Sequence, residues 1–112
     1  MNRTFAINTC GYHTDIAVTI YSNRIFLIIS HFKKLGSLIT VNRESALNQF
    51  SSNIFSTNVI FGKDDIDVHA AARFIAEQIN IDKPLLLSIS LKDYNKEILK
   101  AIINTINQLK LW

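Results

Sequence analysis

The stretch from Ile16 to Val41 constrains this chain more than any other. It reads as three strands, Ile16 to Tyr21, Arg24 to His31 and Ser37 to Val41, with the first two joined by Ser22 and Asn23. Asn tolerates the positive φ of a two-residue hairpin turn, so Tyr21 falls opposite Arg24 and the pairs alternate sides from there. One face then stacks Ile20 on Ile25, Val18 on Leu27 and Ile16 on Ile29, and the other Thr19 on Phe26, Ala17 on Ile28 and Asp15 on Ser30. A slip of one residue would turn every Ile outward, so the register is fixed and the first face is core. The second face sets Phe26 and Ile28 among polar neighbours. It is too apolar for open water and too mixed for deep core, as a sheet face that meets a partner is.

The remaining elements follow in order. Thr4 to Thr9 alternates as a strand and ends at Gly11; Lys33 to Gly36 reads as a turn into Ser37, with Gly36 supplying a left-handed residue. These strands together predict an antiparallel meander of four. Asn58 to Phe61 is a fifth strand, stopped by Gly62. Val68, Ala71, Ala72, Ile75 and Ile79 form one helical stripe, with Asp64, Asp65 and Asp67 at its start to cap backbone N–H groups and complement the helix dipole. Pro84 requires this helix to end near Asn80. Leu85 to Leu91 is a sixth strand, with Leu85, Leu87, Ile89 and Leu91 on one face and Leu86, Ser88 and Ser90 on the other. Asp93 is the expected N-cap of a last helix whose apolar stripe is Ile98, Leu99, Ile102, Ile103, Ile106 and Leu109, with Lys96, Lys100 and Lys110 on its wet side and Leu111 and Trp112 packing down after it.

The expected architecture is α+β: one domain over residues 1–112, with a six-stranded, mainly antiparallel sheet and two helices on one face. Two helices about 10 Å apart cover one sheet face and no more. Unless the other face is simply solvated, it is expected to turn toward a dimer partner, through Thr19, Tyr21, Phe26 and Ile28.

Between the fourth and fifth strands, Asn42 to Ser56 holds three Asn and four Ser beside Leu47, Phe50, Ile54 and Phe55. Fifteen residues without a clear period are long for a connection in a small domain, counting from the sequence. Two readings stand side by side. One is a loose connection with a helical turn at Glu44 to Phe50 whose Leu47 and Phe50 tuck onto the core. The other is a partner-binding loop through Asn42, Arg43, Glu44, Leu47, Phe50, Ile54 and Phe55.

Chemistry finds little purchase. The three Gly stand apart at 11, 36 and 62, so no glycine-rich phosphate loop exists. The Asp64, Asp65, Asp67 cluster lacks the oxygen spacing and turn Gly of a hard-cation loop. His69 has no second His at ligand spacing and reads as a packing or surface residue, and Cys10 with His13 reads as structural rather than as a thiolate and its base. No Ser occupies the strained turn that a triad nucleophile needs. The chain is expected to be no enzyme and to need no cofactor or metal.

A net charge of +3 with Phe32, Lys33 and Lys34 as the densest basic site predicts no nucleic-acid partner. The longest apolar run, Ile25 to Ile29, predicts no membrane span. A lone Cys10 and the lack of a leader pattern lead to the expectation of a reducing compartment, the cytoplasm, with the nucleus also open to the chain.

Over nearly its whole length, and most strongly in two blocks, the chain resembles the third proteasome assembly chaperone family. The first is Ile25 to Val41, IFLIISHFKKLGSLITV; the second runs from Thr57 to Trp112, opening TNVIFGKDD, continuing with a helix that carries His69, passing through LLLSISLKD and closing on Leu-Trp. The resemblance implies a non-catalytic chaperone that dimerises with itself or with the fourth assembly chaperone. It also implies transient binding of alpha-type proteasome subunits while the alpha ring forms, with the Asn42 to Ser56 loop in contact with one of them. A small dimeric scaffold module of roadblock or profilin-like type is the competing expectation, and it would more naturally open with a helix.

Overall fold

The computed structural model describes residues 2–31, 36–43 and 55–108. Cys10 and Gly11, with φ of 51° and 89°, make a two-residue hairpin turn of the kind whose twist matches paired strands, and Asn8 Oδ1 accepts the Gly11 N–H at 2.9 Å. The turn joins β1 (Asn2–Thr9) to β2 (Tyr12–Ile20), so β2 starts four residues earlier than the alternation of Ile and Val suggests. β2 pairs with β3 (Ile25–His31) in the expected register, Ile16 on Ile29, Val18 on Leu27 and Ile20 on Ile25.

The meander stops there. β4 (Ser37–Arg43) and β5 (Phe55–Phe61) form their own antiparallel pair, and β6 (Leu85–Ser90) lies between the two groups in the order β1-β2-β3-β6-β4-β5. β6 runs parallel to β3 and antiparallel to β4. The four-strand meander is thus corrected: β3 and β4 flank β6 and do not touch as a hairpin. The reason lies in composition, because β3 is apolar on both faces from Ile25 to Ile29, and such a strand belongs at the centre of a sheet with a parallel neighbour.

Gly36 is needed for a different reason from the one expected. Its φ is not in the left-handed region; a Cβ there would collide with the Ile89 carbonyl of β6, so only Gly lets the chain cross this closely.

α1 (Ile66–Gln78) begins at Asp65, whose carboxylate accepts the Asp67 N–H at 3.0 Å. It ends in a Schellman turn: Asn80, at φ 52°, donates to the Glu77 carbonyl and Ile81 donates to that of Ala76. α2 (Lys96–Gln108) is capped by Asn95, whose Oδ1 accepts the Ile98 N–H at 2.9 Å. Asp93, expected as the cap, instead accepts from both the backbone and side-chain nitrogens of Asn95 and holds the cap in place.

α1 packs on β4, β5 and β6, α2 packs on β1, and the helices touch each other. Between helices and sheet lies one core, with Ile16, Ile25, Leu27, Ile29, Leu85, Leu87, Ile75 and Ile102 among its fully buried members. Burying a side chain of this size contributes about 1.5–3 kcal/mol each, so this layer carries the fold.

The long connection is shorter than the sequence suggested. Asn42 pairs with Ser56 and Arg43 with Phe55 as the last rungs of β4 and β5. Phe55 is 8% exposed and belongs to the core, where its ring also receives the Arg43 guanidinium at 5.2 Å. The expected helical turn at Glu44 to Phe50, the residues Leu47 and Ile54, the basic site Phe32 to Lys34, and Leu109 to Trp112 lie outside the described residues.

Candidate interaction surface

The registers assign the helix-free face of the sheet row by row. One row runs Asn2, Thr19, Phe26, Leu86, Thr40, Asn58 across all six strands. The next runs Thr4, Ala17, Ile28, Ser88, Leu38, Phe61, and a third runs Ala6, Asp15, Ser30, Ser90. Phe26, Ile28, Leu38 and Leu86 are half-buried and Phe61 is 66% exposed, so an apolar band crosses the middle of an otherwise hydroxyl-rich face.

Of the residues expected there, Thr19, Phe26 and Ile28 lie in these rows. Tyr21 sits beyond the end of β2, half-exposed, in the turn where its N–H meets the Arg24 carbonyl at 2.9 Å. Leu38, Leu86 and Phe61 complete the band; alternation along the sixth strand already set Leu86 away from the aliphatic face, whereas its neighbours Leu38 and Phe61 were not expected there. Their place depends on the insertion of β6 and on an irregular register between Leu38 and Ile39, neither of which leaves a local sequence signal.

The residues expected in the partner-binding loop divide. Phe55 faces the core and is withheld from any partner. Arg43 is occupied as well: its Nη2 donates to the Ile81 carbonyl at 3.1 Å and reaches Asn80 Oδ1 at 3.5 Å, bracing the Schellman turn of α1 against β4. Asn42 is exposed at the rim of the open face. Glu44, Leu47, Phe50 and Ile54 lie outside the described residues.

Two polar clusters lie on the other, helix-covered side of the sheet. At the β1–β2 end, the Lys92 backbone N–H can only donate, so His31 Nδ1 accepts it at 2.9 Å and Nε2 carries the proton. Nε2 then donates to Thr9 Oγ1 at 3.1 Å, which meets Thr14 Oγ1 at 2.7 Å, and Thr14 donates to the Tyr12 carbonyl at 3.3 Å. The Tyr12 ring stacks on the imidazole at 4.9 Å. Burial pushes the His31 pKa below its ordinary value; nearby Asp93 opposes the shift and Lys92 adds to it.

At the other end, His69 bridges Thr57 Oγ1 at 2.6 Å and Asp64 Oδ1 at 2.5 Å, tying β5 to the approach of α1. Thr, His and Asp here stand in the order of a nucleophile relay. Thr57, however, lies within a regular strand and not on the sharp turn that exposes such a nucleophile. Among the described residues, no three His, Cys, Asp or Glu side chains are grouped to hold a metal ion.

Residues 27–109 match the family model described as Proteasome assembly chaperone 3. The chain belongs to the proteasome assembly chaperone 3 family. Proteasome assembly chaperone 3 of Nematostella vectensis is 32% identical over 111 residues, covering 89% of this chain and 82% of that protein. The human protein of the same name is 27% identical over 107 residues, covering 92% of this chain and 87% of that protein. Among solved structures, a chain of a chaperone complex for yeast 20S proteasome assembly superposes with a TM-score of 0.81 over 97% of this chain and 98% of that one. At 19% identity, that likeness speaks for the fold alone.

Proposed function

We propose that this chain acts as a non-catalytic dimer that transiently binds alpha-type subunits while the alpha ring of the 20S proteasome forms. Membership of the family makes the chain a proteasome assembly chaperone. The observation that carries the finer reading is the sheet face without helices, whose band of Phe26, Ile28, Leu38, Leu86 and Phe61 is an apolar surface of the kind that marks a protein interface. The partner on that face is a second copy or the fourth assembly chaperone, and the segment between β4 and β5 reaches an alpha subunit. Neither cofactor nor nucleic acid enters this mechanism, and the work belongs to the cytoplasm.

Binding of this kind orients neighbouring subunits without chemistry. When later subunits occupy the same surface, the chaperone loses its site and leaves. Association gives up translational, rotational and side-chain freedom, which keeps affinity moderate and release feasible.

A native pull-down with the tagged chain from its own cells, read by mass spectrometry, tests this. The expected yield is alpha-type subunits together with a second small chaperone and no mature proteasome. Recovery of an unrelated complex without alpha subunits overturns the reading. Phe50→Ser should weaken alpha-subunit capture with the fold intact, and unchanged capture removes the segment from the mechanism.

A further inference from the structure

β5 ends the sheet, and among the described residues no strand lies beyond it. The outer N–H and C=O groups of such an edge are a template for a further strand, and natural edges are blunted with charges, Pro or a bulge. Phe55–Phe61 holds neither a charged residue nor Pro, and its irregular pairing with β4 is confined to its end, at Ile60. The opposite edge strand, β1, carries Arg3. Large exposed apolar side chains also gather where β5 passes into α1: Ile60 is 56% exposed, Phe61 66% and Ile66 84%. Beside a bare strand edge, such a group marks an interaction site.

α1 runs back over β5 and makes a groove of this edge. An open hollow of about 300 Å³ is lined by Thr57 of β5 and by Ile66, His69, Ala70 and Arg73 of α1. Its inner polar groups are already satisfied, since His69 meets Thr57 Oγ1 through Nδ1 and Asp64 Oδ1 through Nε2. What remains for an incoming segment is the apolar surface of Ile66 and Ala70 and the exposed Arg73 guanidinium, which forms no ion pair among the described residues. Ile66 and Arg73 are two helical turns apart, about 10 Å along the axis. Side chains on one side of a strand recur about every 7 Å, so an apolar residue with a carboxylate two or four positions away meets both.

We infer that the groove between β5 and α1 takes an extended segment of a partner protein as an added strand, antiparallel to β5, with an apolar side chain on Ile66 and an Asp or Glu carboxylate on Arg73. Main-chain hydrogen bonds to β5 supply the affinity, and the two side-chain contacts select the segment. Antiparallel pairing is the more stable kind, and here it runs in the direction of α1, so the apolar residue precedes the acid. Ile66 and Arg73 belong to α1, across the sheet from the helix-free face, so this site stands independently of the dimer proposed above.

The probe is a fluorescein-labelled peptide, Thr-Ile-Thr-Val-Thr-Glu-Thr, titrated with the full chain and read by anisotropy, with amide exchange in β5 followed alongside. Binding should saturate and should slow exchange in β5. A peptide with Pro in place of Val and of the Thr after it should not bind, because one of two adjacent N–H groups must face β5. Arg73→Glu should weaken binding about tenfold, the scale of an exposed pair turned into a like-charge pair. A peptide with Lys in place of Glu should restore binding to that variant, which a misfolded chain could not do. Ile66→Asp should also weaken binding about tenfold, with the melting temperature unchanged because the position is exposed. Failure of the wild-type chain to bind, or equal binding of the Pro peptide, overturns the added strand. Wild-type affinity in Arg73→Glu or Ile66→Asp overturns the placement in the groove. Full protection of the β5 amides in the free chain overturns the inference as well, since another part of the chain or a second copy then fills the edge.

Discussion

His31 shows how one buried polar residue shapes stability at a sheet end. Its imidazole is neutral because both ring nitrogens are committed, one to the Lys92 N–H and one to Thr9, inside a pocket roofed by Tyr12. The unfolded chain takes up a proton on this ring near the ordinary value of about 6.5, whereas the folded chain does so at lower pH because burial disfavours the charge. The folded state therefore binds fewer protons across that window, so its stability is full above about pH 6.5 and is lost as pH falls toward the folded value. Urea unfolding should give a midpoint that drops below about pH 6.5, and His31→Gln should start lower but lose that extra slope. Phe55 makes a second case at this scale. Phe55→Ser should cost about 3–5 kcal/mol of stability, measured by the same unfolding curves, since it empties a core position. A loss of partner binding in that variant would report unfolding, not a lost contact.

At the scale of elements, the connections between strands and helices carry small, separable energies. Asn95→Ala removes the acceptor for the Ile98 N–H and should cost about 1 kcal/mol, read as a fall in thermal midpoint. What the sequence disclosed at this scale depended on how local the signal was. The β2–β3 register was legible to the residue, because a two-residue turn and a strict period of two leave one alignment. The last helix was legible from its stripe, but Asp93 and Asn95 are both good caps and spacing could not choose between them. The neighbours of β6 were not legible, since strand pairing across the sheet is set by tertiary contact. The unbroken apolar run of β3 was nonetheless a clue to a parallel neighbour. On the open face, Phe26 and Ile28 were readable from the hairpin alone, whereas Leu38 and Phe61 needed the β4–β5 pairing to reach the same row.

The whole molecule depends on its last strand. Because β6 joins β3 to β4, the sheet without it is two separate pieces, one of three strands and one of two, each with a bare edge and half a core. β6 also brings Leu85, Leu87 and Ile89, all fully buried, to the centre of the layer that α1 and α2 cover. Five of six strands are therefore not most of the fold. A chain cut after Asp82 should show no cooperative unfolding transition by circular dichroism, despite retaining β1 to β5 and α1. In the full chain, amide exchange should be slowest in β3 and β6, whose pairing closes the longest loop and opens only with global unfolding. If the cut chain folded cooperatively, β6 would be an added strand on a preformed sheet. The close crossing of Gly36 over Ile89 argues otherwise, and Gly36→Ala should prevent β4 from seating on β6, lowering stability by several kcal/mol in the same melting experiment.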